Sequence, residues 1–275
     1  MLKQAMTGIL TEAEAEELYG AFDQIGNIII LRVPDALLPK RKIIGEVLLE
    51  KVKTAKSIYY QSSPVEGDYR IRKLELLAGE DKTETEYKEH GCRFIVDVEK
   101  TFFSPRLSTE RERIAELIKD GETVINMFGG VGMFSIVAAK KKKCHVYNID
   151  INPDAARLCS ENILLNKLKG TVESIEGDAA RVIEEKLSES GDRVLMLLPE
   201  RSDEFLSSAI KAAKKNAIIH YYCHIHAEKK DQVSILAPQH FLEVTTIKSE
   251  ILGSKIVRPV GPRFYQAVVD VAIFK

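Results

Sequence analysis

The run VINMFGGVGMFSIVAAKKKKCHVYNID, residues 124–150, sets Gly129, Gly130 and Gly132 directly behind an apolar stretch and a carboxylate, Asp150, 18 residues past Gly132. Glycines in such a turn let a ligand approach the backbone and accept φ values that side chains resist. A carboxylate at the end of the next strand can take both hydroxyls of a ribose. Turn and carboxylate together form the grip of a nucleoside cofactor, shared by nicotinamide, flavin and S-adenosylmethionine chemistry. Three details favour the sulfonium. The glycine spacing is G-G-V-G-M-F and not G-x-G-x-x-G, so the helix start that binds a pyrophosphate is missing. Asn152-Pro153 follows Asp150 and opens a helix with proline after an Asx residue. Gly177-Asp178-Ala179 closes a later strand, where Asp178 can accept an adenine amine while a neighbouring backbone N–H serves a ring nitrogen. The plainer alternative has Asp150 and Asp178 capping helices.

Other residues with chemical potential read more simply. Lys140 to Lys143 are the solvated, dipole-favoured end of a helix, with an RNA patch as the alternative. His220, His224 and His226 have no nearby Cys or carboxylate to complete a tetrahedral set, so no metal site is expected. Cys92, Cys144, Cys159 and Cys223 lack C-x-x-C spacing and read as reduced thiols of a cytoplasmic protein. A net charge of −1 over 275 residues gives no global nucleic-acid footprint, so any RNA contact needs local patches. No run approaches the ~20 apolar residues of a membrane span, and MLKQAMTGILTEAEAEEL has no apolar core of a signal peptide.

These residues need a scaffold, and its texture changes near residue 100. Before that point GNIIILRV (26–33) reads as a strand and KRKIIGEVLLEKVKTAK (40–56) as a helix. SIYYQ, YRIRKLELLAGED, TETEYKEH and CRFIVDVEK read as strands, the last two a hairpin around His90-Gly91. From 107 onward helices at 107–119, 132–142, 153–166, 179–187 and 203–214 alternate with strands TVINMF, HVYNID, TVESIEGD, RVLMLLP and AIIHYYCH. That rhythm predicts an α/β fold, a parallel sheet with helices on both faces. HFLEVTTIKSEI and FYQAVVDVAIFK predict an antiparallel hairpin on its edge. In such a sheet the ligand lies beyond the carboxyl ends of the strands, at the switch point of strand order.

Several stretches together resemble the archaeal and eukaryotic tRNA (guanine-37-N1) methyltransferases and the related wybutosine-pathway enzymes. They are EGDYRIRKLELLAGED (66–81), VEKTFFSPRLSTERERI (98–114), VINMFGGVGMFSI (124–136), YNIDINPDAARLCSENILLNKL (147–168), EGDAARV (176–182) and DRVLMLLPERSDEFL (192–206). The resemblance implies a class I methyltransferase domain over 101–275 behind a small RNA-facing α+β domain over 1–100. It implies S-adenosylmethionine as cofactor, the tRNA anticodon stem-loop as partner, and a cytoplasmic monomer. It assigns Glu110 as the base at guanine N1 and Arg70 as the cation at O6, with Arg72 as rival. Phe102, Arg106, Asn126, Phe128, Gly129, Gly130, Asp150, Ile151, Asp178, Ala179 and Leu197 are the implied cofactor residues. Two positions depart from the family pattern: Leu197-Leu198-Pro199 replaces Asn-Leu-Pro, and Asn126 stands where Asp is usual. Read from the residues alone, Glu110 could complete a capping box. Arg70 and Arg72 could be an outward strand face, and Phe102 and Phe103 ordinary core. The rival activity transfers the 3-amino-3-carboxypropyl group of the same cofactor to a wybutosine precursor.

Overall fold

The computed structural model describes residues 6–64 and 66–275. The chain divides into two compact units, the first reaching to Pro105 and the second covering Arg106–Lys275.

In the first unit Thr11 and Glu14 form a capping box that starts the short helix α1, Glu12–Glu17. Four strands follow in spatial order: β1 (Phe22–Ile25), β2 (Ile28–Leu31), β3 (Ser57–Gln61) and β4 (Leu74–Gly79). β2 and β3 run parallel, so a crossover must join them, and helix α2 (Arg41–Lys51) supplies it. Its Ile44, Val47 and Leu48 bury against Ile29, Leu31, Ile58 and Leu77. β5 (Glu84–Glu89) and β6 (Cys92–Asp97) form the expected hairpin. His90 and Gly91, with φ of 47° and 73°, meet the demand of a two-residue turn for two positive φ values. Two expectations change here. β1 was not foreseen. Arg70 is not on a strand: Gly67–Arg70 is a tight turn closed by Arg70 N–H to Gly67 O at 3.0 Å, Arg70 has φ 53°, and β4 starts only at Leu74.

The second unit begins with helix α3 (Ser108–Leu117) and continues β7 (Thr123–Asn126), α4 (Met133–Lys141), β8 (His145–Asp150) and α5 (Pro153–Leu164). Then come β9 (Thr171–Glu176), α6 (Ala179–Val182), β10 (Gly191–Met196), α7 (Ser202–Ala212), β11 (Ala213–His226), α8 (Val233–Glu243), β12 (Ser249–Gly261) and β13 (Phe264–Ile273). The sheet order is β12-β13-β11-β10-β7-β8-β9, with β13 antiparallel to both its neighbours. The order reverses between β7 and β10, which is the switch point. One face carries Ile125, Val194, Met196, Ile219 and Tyr221 into a core closed by Phe205, Leu206 and Ala209 of α7 and Val233, Ala237 and Phe241 of α8. Because side chains alternate, the other face receives Asn126, Asn148, Leu195, His220 and Asp270, which share rungs of the sheet. That face is polar at its centre.

The expected strand HFLEVTTIKSEI is corrected in part. Residues up to Glu243 belong to α8, and β12 starts at Ser249. Val233, Ala237 and Phe241 recur every fourth residue, and burying that stripe decides for helix despite Pro238 within it. The edge hairpin itself forms as β12 and β13.

Candidate active site

The backbone after β7 turns sharply on three glycines. Gly130 and Gly132 have φ of 55° and 88°, and Gly129 N–H donates to Ile149 O at 2.8 Å, tying the turn to β8. A Cβ on Gly129 would stand 2.1 Å from Asn148 Oδ1, so no side chain fits there. Neutral amides brace the turn from beneath. Asn126 Nδ2 donates to Ser135 Oγ at 3.1 Å and Asn148 Oδ1 at 3.4 Å. The Ser135 hydroxyl donates to Asn148 Oδ1 at 2.6 Å, and Asn148 Nδ2 donates to Gly130 O at 3.2 Å. Flipping the Asn126 amide would set its oxygen against Asn148 Oδ1, which has no proton to give. Asn126 Oδ1 is therefore a fully buried acceptor with no hydrogen-bond partner among the described residues.

Asp150 ends β8 beside this turn. Its Oδ2 accepts from Gly130 N–H at 2.7 Å and its Oδ1 from Asn152 N–H at 2.9 Å, each oxygen retaining a lone pair. Burial pushes the carboxyl up, and those two N–H groups hold it back. Ile151, 43% exposed, presents an apolar side chain directly after it. Asp178 caps α6 through Arg181 N–H at 2.9 Å, so the capping role holds there, and Ala179 behind it is buried. Phe128 packs edge-on against Phe205 with ring centroids 5.0 Å apart, and Leu197 is half-buried past the end of β10.

The first unit holds Arg70 and Phe102, with the Arg70 guanidinium 4.0 Å from the Phe102 ring centroid. Arg72 Nη1 donates to Gln61 Oε1 at 3.3 Å. Phe103 is core, edge-on to Tyr87 at 4.9 Å. Arg106 lies exposed in the 3-10 turn Pro105–Leu107.

Glu110 does not cap α3: the N-cap is Leu107, which makes no side-chain cap. Its carboxylate is 3% exposed and held by four contacts. Arg113 grips it two-pronged, Nη2 to Oε1 at 2.6 Å and Nε to Oε2 at 2.9 Å. The Tyr222 hydroxyl donates to Oε1 at 2.7 Å, and Lys255 Nζ stands 3.4 Å from Oε2. Met196 pairs with Tyr221, so Tyr222 lies one rung beyond the end of β10. Glu110 thus sits at the carboxyl edge of the sheet, where ligands of this architecture bind. Arg113, Tyr222, Lys255 and Asp270 escaped the sequence reading. Only the three-residue step from Glu110 to Arg113 was a visible signal. His220, read as an ordinary strand residue, bonds Asp270 and Arg193.

A parallel sheet, a glycine turn at the switch point and a carboxylate on the following strand agree with the comparisons. The TRM5/TYW2 methyltransferase domain matches residues 85–251, and the TYW2 N-terminal domain matches residues 2–83. The chain belongs to the TRM5/TYW2 methyltransferase family. It is 40% identical over 250 residues to the tRNA (guanine(37)-N(1))-methyltransferase Trm5b of Pyrococcus abyssi, covering 91% of this chain and 74% of that protein. It is 35% identical over 260 residues to the tRNA 4-demethylwyosine(37)-methyltransferase Taw21 of Saccharolobus solfataricus, covering 94% and 95%. The aTrm5 chain solved in complex with tRNALeu superposes with a TM-score of 0.84 at 35% identity, over 98% of this chain and 76% of that one. Members of the family use S-adenosylmethionine. The residues here fit that molecule: the unpartnered Asn126 Oδ1 suits an ammonium, Asp150 a ribose, and the exposed Ile151 an adenine face. No helix among the described residues is long and apolar enough to cross a membrane.

Proposed function

We propose that this protein transfers the methyl group of S-adenosylmethionine to N1 of guanine 37 in tRNA, or of a wybutosine-type derivative of that base. Gly129, Gly130, Asn126, Asp150, Ile151, Asp178, Ala179, Phe128 and Leu197 hold the cofactor, which supplies a methyl carbon activated by its sulfonium. Phe102 and Arg106 complete the cofactor set on this reading. Guanine N1 carries a hydrogen and attacks poorly until that proton leaves, so a base must stand at N1 and a cation at O6. Glu110 takes the N1 proton and the Arg70 guanidinium steadies O6. The N1–carbon bond forms as the carbon–sulfur bond breaks, and the electron pair stays on sulfur.

The observation that carries this reading is the placing of Glu110: a buried carboxylate at the carboxyl edge of the sheet, bonded by Tyr222 one rung beyond the end of β10. A carboxylate offers about four lone-pair directions. Arg113 and Tyr222 occupy three of them, and the remaining one on Oε2, loosely faced by Lys255, is the acceptor for the proton. The reading needs no metal, no membrane and no second subunit, and places the work in the cytoplasm.

A second reading, transfer of the 3-amino-3-carboxypropyl group, draws on the match of residues 2–83 to the TYW2 N-terminal domain. Mass spectrometry of the nucleoside at position 37 separates the two. tRNA bearing G37, and tRNA bearing the tricyclic precursor, should gain one methyl on one of these substrates. An aminocarboxypropyl adduct favours the second reading, and no change on either tRNA defeats both.

A further inference from the structure

On the polar face of the second unit, a chain of side chains runs from Glu122, ahead of β7, to Glu110. Arg193 of β10, 2% exposed, donates to Glu122 from Nε and Nη2 at 2.9 and 3.0 Å, and from Nη2 to Leu117 O at the end of α3 at 2.9 Å. Its Nη1 stands 2.7 Å from His220 Nε2. A guanidinium only donates, so Nε2 must accept and the imidazole proton sits on Nδ1. That Nδ1 donates to Asp270 Oδ1 at 2.6 Å. Asp270 in turn takes Arg113 Nη1 at 2.5 Å and Nη2 at 3.3 Å, the same guanidinium that grips Glu110 from its other edge. One cation is shared by two carboxylates.

A guanidinium gripping Glu110 alone would stabilise its charged form and leave it a feeble base. We propose that Asp270 and Arg113 are positioning residues that set the proton affinity of Glu110, Asp270 drawing the Arg113 charge away so that the carboxylate can accept a proton from the purine. The inference rests on Glu110 being the base. His220 serves by staying neutral, since a proton on Nε2 would confront Arg193 and cancel the charge of Asp270. Burial pushes His220 below its ordinary value. Burial works to raise the Asp270 carboxyl, but His220 and Arg113 outweigh it and hold it at about 2. Among the described residues, the charged and titratable groups in contact with Glu110 or linked to it through this chain include Arg113 on its own helix, Tyr222 and His220 on β11, Lys255 on β12, Asp270 on β13, Arg193 on β10 and Glu122 before β7. Of these, Arg113, Tyr222 and Lys255 touch the Glu110 carboxylate, and Asp270 bonds the Arg113 that grips it.

The test is the pH profile of single-turnover methylation. Asp270→Asn should move its acid limb down by about one unit and lower the plateau by about tenfold. Arg113→Gln should move the limb up, whereas Arg113→Lys, which keeps the charge, should leave it near the wild-type position. A merely structural role would lower activity in all three without shifts of opposite sign. Calorimetric binding of S-adenosylmethionine confirms folding of each variant. Limbs that coincide in Asp270→Asn and Arg113→Gln overturn the proposal, and if Asp270→Asn does not fold, coincident limbs in the two Arg113 variants do so. Wild-type rate and profile in Glu110→Gln would instead remove the base assignment itself.

Discussion

The polar face of the sheet holds two networks built on opposite principles. Around β7 and β8, Asn126, Ser135 and Asn148 brace the glycine turn with neutral amides and one hydroxyl. Around β10, β11 and β13, Glu122, Arg193, His220, Asp270, Arg113 and Glu110 alternate in charge around one neutral ring. Neutral groups do not titrate between pH 4 and 10, so the first network fixes shape whatever the pH. The second is poised by balanced charges, and removing one member leaves another buried and unpaired, which is costly. On the proposed reading the cofactor, which gives up its methyl group but takes no part in proton transfer, is gripped beside the rigid network. A proton that must move meets the tunable one.

The largest expected effect strikes the neutral network. Gly129→Ala forces a methyl to within 2.1 Å of Asn148, and such overpacking should cost about 3 kcal/mol. That corresponds to a melting temperature lower by roughly 6–12 °C for a unit of this size, measured by calorimetry, with S-adenosylmethionine binding lost alongside. An unchanged melting temperature would mean that the turn is softer than its contacts imply.

Acid should strike the charged network next. Asp270 has its carboxyl near 2 against an ordinary 3.8, so it stabilises the fold above about pH 4 and that stabilisation is lost as pH falls toward 2. The amount is about 2 kcal/mol. His220 is lowered from 6.5, so the unfolded chain takes up its proton first and stability declines as pH drops below that value. Denaturant titrations should find wild type softening from pH 6.5 downward, with Asp270→Asn lacking the step below pH 4. Parallel curves for the two proteins would contradict the assignment.

The smallest effect belongs to Lys255, whose side chain is 42% exposed and stands 3.4 Å from Glu110. Exposed pairs contribute about 0–1 kcal/mol, so Lys255→Met should change the single-turnover rate by no more than about fivefold. A loss as deep as that of Glu110→Gln would place Lys255 in the reaction itself.

Much of the scaffold was legible because it follows simple periodicity. Buried parallel strands such as VLM and the helix-opening Asn152-Pro153 announce themselves locally. The turn at Gly129 was readable for the same reason, since glycine leaves a mark in the sequence that its function requires. Helix α8 was hidden because Pro238 masked a stripe that only burial against β12 and β13 reveals. Arg70 looked like a strand residue because alternation with Ile71 mimics a strand, while Gly67 imposes a turn. The charged network was invisible for a deeper reason. Arg113 and Asp270 are 157 positions apart, and only the antiparallel pairing of β13 with β11 brings them together.

The central claim is that gripping the cofactor and removing the purine proton are separate tasks of these two networks. Single-turnover methylation by Glu110→Gln, with S-adenosylmethionine affinity measured on the same preparation, tests it most directly. The rate should fall by about 10²-fold or more while affinity for the cofactor stays within about threefold, because the glycine turn is untouched. A rate near wild type, or a collapse of cofactor binding that accounts for the whole loss, would contradict it.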